Sequence, residues 1–489
     1  MHFPLTSTVL RPRHFDPLFL LRELGFRRSY CALLESASRT TGNDFSFIAL
    51  GARDKMTIRN SRVSGSQYVP SGTVTDPLAV FSGLIGTGKE RRRLRMGYIG
   101  FLSYEAARYF EDIELKPDRS IPDAEFILPE VLLRIDHRKR EVTVTAHGGT
   151  NENLTSIEKI IMSSPPHGDS LIFPAAGTPR PGGSPRIRGA SATQRRSCGK
   201  IQHLPVMTQK DIAPFRQTTS EEFCRDVETI KKGILAGETF QVVLSQELML
   251  KADVSPEMVY DRLREINPSP YMYYFRTPDR TIVGASPETL VRVDGRRILY
   301  RPIAGTRKRT GKKEEDDRMR AELLSDEKER CEHQMLVDLG RNDVGRVAAI
   351  GSIKLRNPFR IETCAHVYHI VSDIVARVRP GLNSLDVLRA VFPAGTLTGA
   401  PKVRAMKVIR DLEKTPRGMY GGAFGYIDLS GNLDFAITIR TMLFQNNRIR
   451  LRCGAGIVKD SIPKREDDEC LHKARSCLDA IRLAQRSPH

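Results

Sequence analysis

At 489 residues, 40% hydrophobic and 28% charged, the chain has the composition of a globular protein with room for two or three average domains or one large interleaved one. It has no apolar run of the eighteen or so residues that span a membrane, and its opening MHFPLTSTVLRPRHF lacks a signal peptide's apolar core, so a cytoplasmic protein with no membrane partner is expected. The net charge of +19 is spread along the chain, with small clusters at 89–95 and 138–140 and no zinc-finger or RNP motif; this fits attraction of anionic metabolites better than nucleic-acid binding.

In chain order, 1–30 reads as a leader with an amphipathic piece around 17–24, and CALLESAS and FSFIAL read as strands around a polar turn at 40–44. Segment 96–113 begins as a glycine-punctuated apolar run and passes into a helix near Tyr104. ILPEVLLRIDHRKREVTVTA reads as a hairpin turning at 136–140. From 163 to 202, Pro, Gly, Ser and Arg displace hydrophobic periodicity, which predicts a disordered linker or insertion. TSEEFCRDVETIKKGILAG is a helix with a Thr or Ser N-cap and Gly237 past its end. A strand (ETFQVVLSQELML), a helix near 256–266, the NPSPYMYYF turn and strand, a strand–turn–strand (TIVGASPETLVRVDG) and a PIAGTRKR turn follow. A solvated charge run at 312–316 then precedes a helix over about 317–337. Hairpins outnumber regular βαβ units, so the fold class is α+β. Eight cysteines without a CxxC pair suit reduced thiols; near Cys364, His366 and His369 reads as one buried and one exposed histidine rather than a zinc pair.

The densest stretch is 391–460, with VFPAGTLTGAPKVRAM, YGGAFGYID, LDFAITIRT and CGAGIVKDS. Glycines at turns bring backbone close to a ligand. Each run also carries an anion-binding group: Lys402 and Arg404, Tyr420, Arg440, and a turn of Gly454, Ala455 and Gly456 offering N–H groups. Two carboxylate pairs, Glu329 with Glu332 and Glu466 with Glu469, lie three apart and so share a helix face; such a face is either solvated or metal-bound.

The order PAGTLTGAPK, YGGAFGYID, ITIRT and GAGIV resembles the chorismate-utilising enzymes from about residue 219 to 482. That resemblance implies two large, mainly antiparallel sheets packed face to face with helices outside. It also implies a catalytic domain over 215–485 and an amino-terminal region, 1–162, contributing a regulatory site. EKERCEH and REDDECLHKA resemble the family's Mg²⁺-binding helices, which implies Glu332 and Glu469 as direct ligands with Glu329 and Glu466 acting through water. Arg440, Lys473, Tyr420 and the Gly454–Gly456 segment would hold the second carboxylate of chorismate. Glu288 in GASPE would be the general acid, and His369 would serve the step that removes a ring proton and releases pyruvate.

Three positions then separate the members. Gln241 stands where hydroxylating members carry lysine, and a carboxamide deprotonates no water. Ala304 stands where some aminating members carry a nucleophilic lysine, leaving Thr306 to support the site; His369 favours complete elimination. Together they resemble the large subunit of anthranilate synthases, taking chorismate and ammonia to anthranilate and pyruvate. LLES, with Glu35 and Ser36, and NPSPYM, with Pro270, Tyr271 and Met272, resemble that enzyme's tryptophan feedback site. No Gly-x-Cys-x-Gly elbow is present, so a separate glutamine amidotransferase subunit is implied. The alternatives are an aminodeoxyisochorismate or aminodeoxychorismate synthase component, or a non-catalytic binding protein of the same fold.

Overall fold

The computed structural model describes residues 5–12, 15–25, 28–36, 45–85, 97–147, 151–163, 214–251, 253–364 and 367–486. The 40–44 turn, the 89–95 basic cluster, His366 and nearly all of the 163–202 segment lie outside the described residues.

Among the described residues, the strands form two twelve-stranded sheets with antiparallel pairing. The first sheet places strand Cys31–Glu35 between Phe45–Leu50 and Tyr271–Thr277, then continues through Arg280–Ser286, Thr441–Gln445, Arg448–Ile457 and Gln241–Lys251. The second runs from Ile303–Lys308 through Val367–Arg377, Thr289–Asp294, Leu433–Ile437 and Ala423–Asp428 to Gly97–Leu102 and Asp54–Arg59. Strands from both ends of the chain therefore build each sheet.

Period-two alternation decides which face each side chain covers. In Tyr271–Thr277, Tyr273 and Phe275 point inward: Tyr273 stacks on Phe424 of the other sheet at 4.3 Å, and Phe275 meets Phe101 at 6.3 Å. Met272 and Tyr274 point outward to the helix layer, Tyr274 meeting Tyr260 of helix Pro256–Ile266 at 6.1 Å. Helix Ser220–Leu235 starts at a capping box between Thr219 and Glu222 and ends before Gly237 at φ +80°. Its Phe223, Val227 and Ile230 share an apolar layer with Cys470, Ala474 and Cys477 of helix Pro463–Arg486.

TIVGASPETLVRVDG is strand–turn–strand as expected, and its turn is a crossover, because Arg280–Ser286 lies in the first sheet and Thr289–Asp294 in the second. Three expectations are corrected. PIAGTRKR is strand Ile303–Lys308, bulged between Ala304 and Arg307, with Gly305 at φ +65°. The helix at 317–337 is two helices, Lys313–Ser325 and Glu327–Gly345, because the Asp326 carboxylate caps the second by accepting from Glu329 N; the 312–316 charge run opens the first. Gly454, Ala455 and Gly456 form no turn: they extend strand Arg448–Ile457, opposite Ser245, Leu244 and Val243.

Candidate active site

Two crossovers between the sheets lie side by side. Pro287 and Glu288 pass from the first sheet to the second; Thr438, Ile439 and Arg440 pass back. Ile437 N donates to Glu288 O at 3.0 Å, and Ala285 N donates to Arg440 O at 3.2 Å. This pairing ties the two crossovers together at the backbone; Arg440 has φ +49°, a conformation that costs a non-glycine residue energy.

Arg440 lines a cavity of about 220 Å³ together with Lys473, His369, Cys364, Asn267 and Pro287. Its Nη1 donates to Asn267 Oδ1 at 3.4 Å, and among the described residues no carboxylate pairs with it. Burial lowers its pKa, so the cavity holds a cation poorly compensated by its surroundings. Lys473 Nζ bonds Glu469 Oε1 at 2.7 Å and Gly454 O at 3.1 Å. Glu288 is 8% exposed; burial pushes its carboxyl up to about 7, against the opposing pull of Thr396 and Lys473. It is thus a proton donor near neutral pH.

The His369 ring is fixed by Nδ1, which lies 2.8 Å from Gly305 O and 3.2 Å from Thr306 Oγ1. A carbonyl only accepts, so Nδ1 carries the proton and Nε2 keeps its lone pair; burial lowers the pKa and favours this neutral form. The bulge at Gly305 supplies that carbonyl. Gln241 is buried with its amide across Gly456, where a Cβ would stand 2.4 Å from Nε2. A Cβ on Gly454 would stand 2.6 Å from Tyr420 Oη. Close approach, not a turn, is why glycine occupies both positions. Beyond Leu451 this strand loses its pairing with Thr441–Gln445, leaving alternate N–H groups without a ladder partner on that side among the described residues.

The two carboxylate pairs come from helices Glu327–Gly345 and Pro463–Arg486. Burial raises the Glu332 carboxyl, and Glu329 and Glu469 raise it further; burial and Glu469 likewise raise Glu466. The helices therefore gather negative charge around the ammonium groups of Lys473 and Lys328, while Glu329 is held at 3.2 Å by Arg307. Among the described residues no three His, Cys, Asp or Glu side chains converge as a ready chelate. The donor set fits a hard cation held by few carboxylates and completed by water or substrate.

Lys402 and Arg404 do not join this cavity's cations. Lys402 is buried against Asp343 at 2.8 Å, and Arg404 pairs with Glu238.

A larger cavity, about 900 Å³, opens between the sheets. Glu35, Ser36, Pro270, Tyr271 and Met272 all line it, and Pro270 lines the smaller cavity as well. The Glu35 carboxylate, however, accepts from Tyr260 at 2.5 Å and Arg264 at 3.0 Å, and Met272 packs in the outer layer. Tyr271 donates to Asp434 at 2.8 Å. Arg292, Tyr426 and Asp434 form the opposite wall; sequence reading missed them because their strands lie far from both motifs. Asn267, the partner of Arg440, stands at the start of NPSPYM, so this motif borders the smaller cavity as well.

A family model described as chorismate binding enzyme matches residues 30–479. The chain belongs to the chorismate-binding enzyme family. Within it, anthranilate synthase component 1 of Thermus thermophilus is 38% identical over 93% of this chain and 92% of its own. The protein of that name from Acetivibrio thermocellus is 38% identical over 90% and 86%. Anthranilate synthase component I of Streptococcus pneumoniae superposes with a TM-score of 0.73 at 32% identity, covering 89% of this chain and 92% of that one. The menaquinone-specific isochorismate synthase of Escherichia coli, 17% identical with a TM-score of 0.71 over 98% and 95%, shares the fold.

Proposed function

We propose that this chain is the chorismate-converting component of an anthranilate synthase, taking chorismate and ammonia to anthranilate and pyruvate. The observation that carries the reading is a buried carboxyl with a pKa near 7, Glu288, which adjoins Pro287 in the wall of a cavity and feels its Lys473, while the cavity's arginine, Arg440, lacks a carboxylate partner among the described residues. Arg440 offers a bidentate fork to the enolpyruvyl carboxylate, with Lys473 in the same cavity wall and the Tyr420 hydroxyl reaching toward it across Gly454. Glu288 protonates the ring hydroxyl, a poor leaving group when charged. His369, neutral with Nε2 available, takes the ring proton as the aromatic product forms and pyruvate departs. Glu332 and Glu469, supported by Glu329 and Glu466, are the residues to hold Mg²⁺, which when bound neutralises the ring carboxylate.

Gln241 favours ammonia over water: attacking water needs a base to take its proton, whereas neutral ammonia attacks unaided. Ammonia reaches the site from a component 2 glutamine amidotransferase, or from solution when supplied free. With chorismate, Mg²⁺ and ammonia the protein should release fluorescent anthranilate and equimolar pyruvate, and almost no isochorismate when ammonia is omitted. Isochorismate or an aminated, pyruvate-bearing intermediate as the main product would assign the chain to another branch of the family.

A further inference from the structure

The segment 417–422 carries Tyr420 and is held from the amino-terminal part of the chain. Glu105, 2% exposed in the 3₁₀ turn Tyr104–Tyr109, accepts Arg417 N at 2.7 Å and Gly418 N at 3.1 Å. Tyr104 N donates to Gly418 O at 2.8 Å. The Arg417 guanidinium, itself 3% exposed, lies 4.7 Å from the Tyr104 ring centroid and 5.5 Å from that of Tyr420. It donates to Leu397 O and Val243 O, each at 2.6 Å, and to both oxygens of Glu413. With four of its five N–H donors committed, this arginine is held in place; its backbone position sets where the Tyr420 ring stands, and Glu105 sets that backbone position.

We propose that Glu105 is a positioning residue for substrate, acting through Arg417 to keep the Tyr420 hydroxyl against Gly454, whose carbonyl accepts from Lys473 in the wall of the smaller cavity. The proposal rests on Tyr420 as a substrate-binding group. In Glu105→Gln the atom facing Gly418 N–H becomes a second donor, so the turn loses one acceptor without losing volume.

The test is a kinetic cycle on the full chain with chorismate, Mg²⁺ and ammonia. Tyr420→Phe should raise KM roughly 5- to 10-fold with kcat within about twofold. Glu105→Gln should raise KM by a similar factor, and the double variant should stay within about twofold of the worse single one, because both changes remove one interaction. A general loss of structure would instead lower kcat and Tm without coupling to Tyr420. Should Glu105→Gln fail to fold, Tyr104→Leu removes one face of the Arg417 sandwich and carries the same expectation. KM effects that multiply, or a Glu105→Gln enzyme with unchanged KM, overturn the clamp while leaving Tyr420 in place. An unchanged KM in Tyr420→Phe overturns both the clamp and the assignment of Tyr420; absence of turnover in the wild type overturns the proposed function.

Discussion

As the proposed general acid, Glu288 would couple the chemistry to the stability of the fold. Its carboxyl moves from an ordinary 4.5 to about 7 because burial penalises the anion more than Lys473 and Thr396 favour it. The native state therefore binds this proton more tightly than the unfolded chain. The stability it contributes is fully present below about pH 4.5 and is lost as pH rises through 7. The loss amounts to at most about 3 kcal/mol. Glu288→Gln, neutral at every pH, should melt several degrees above the wild type at pH 8 and alongside it at pH 4.5, while turnover falls at least about 100-fold. Thermal midpoints of the two proteins across that range check the sign. A variant less stable at pH 8 than the wild type would mean that the fold favours the carboxylate. The residue types at this site were legible because Glu288, Arg440, Lys473 and His369 each stand inside a recognisable motif. The arrangement around them was not: Gly305 O orienting His369, and Asn267 beside Arg440, are backbone and loop placements that residue identity does not encode.

At the scale of elements, helices were read well where a cap and an apolar stripe coincide, as in Ser220–Leu235 with its Thr219–Glu222 box and Gly237 stop. Errors fell where two physical causes leave one signature. Glycine marks both a turn and a close approach, so Gly454 and Gly456 read as a turn although their strand runs straight beneath Tyr420 and Gln241. Likewise a strand–turn–strand pattern fits a hairpin or a crossover, and only sheet topology shows that Glu288 sits between sheets. The two carboxylate helices lead to a prediction of their own. Glu332 and Glu466 are raised partly by Glu469, so a divalent cation bound among them should bring them back down and relieve the repulsion. Removing Mg²⁺ with EDTA should abolish turnover and lower the thermal midpoint, and restoring Mg²⁺ should reverse both. Glu332→Gln or Glu469→Gln should lose activity at least about 100-fold and lose most of the Mg²⁺-dependent shift, while keeping the wild-type circular dichroism. Full activity in EDTA, or in either variant, would remove the metal from the reading.

At the scale of the whole molecule, the 900 Å³ cavity is walled by both sheets, with Ser36 and Tyr271 from one side and Arg292 and Asp434 from the other. A molecule bound there touches both halves of the sandwich. Pro270 lines both this cavity and the smaller one, and Asn267, bonded to Arg440, lines the smaller one three residues before it. If tryptophan is the occupant, its binding to the native state alone stabilises by RT ln(1 + [L]/Kd), about 2.7 kcal/mol at a hundredfold excess over Kd. The thermal midpoint should therefore rise with tryptophan concentration. Any loss of chorismate affinity caused by tryptophan must be matched by an equal loss of tryptophan affinity caused by chorismate, because the coupling free energy is one quantity. Ser36→Arg puts a long cation into the wall and should cancel both the thermal shift and the inhibition, with the uninhibited rate within about twofold of wild type. Titrating the shift with and without chorismate measures the reciprocity directly. A wild-type protein whose midpoint and turnover both ignore millimolar tryptophan, or a Ser36→Arg variant that is still fully inhibited, would assign the cavity to some other occupant.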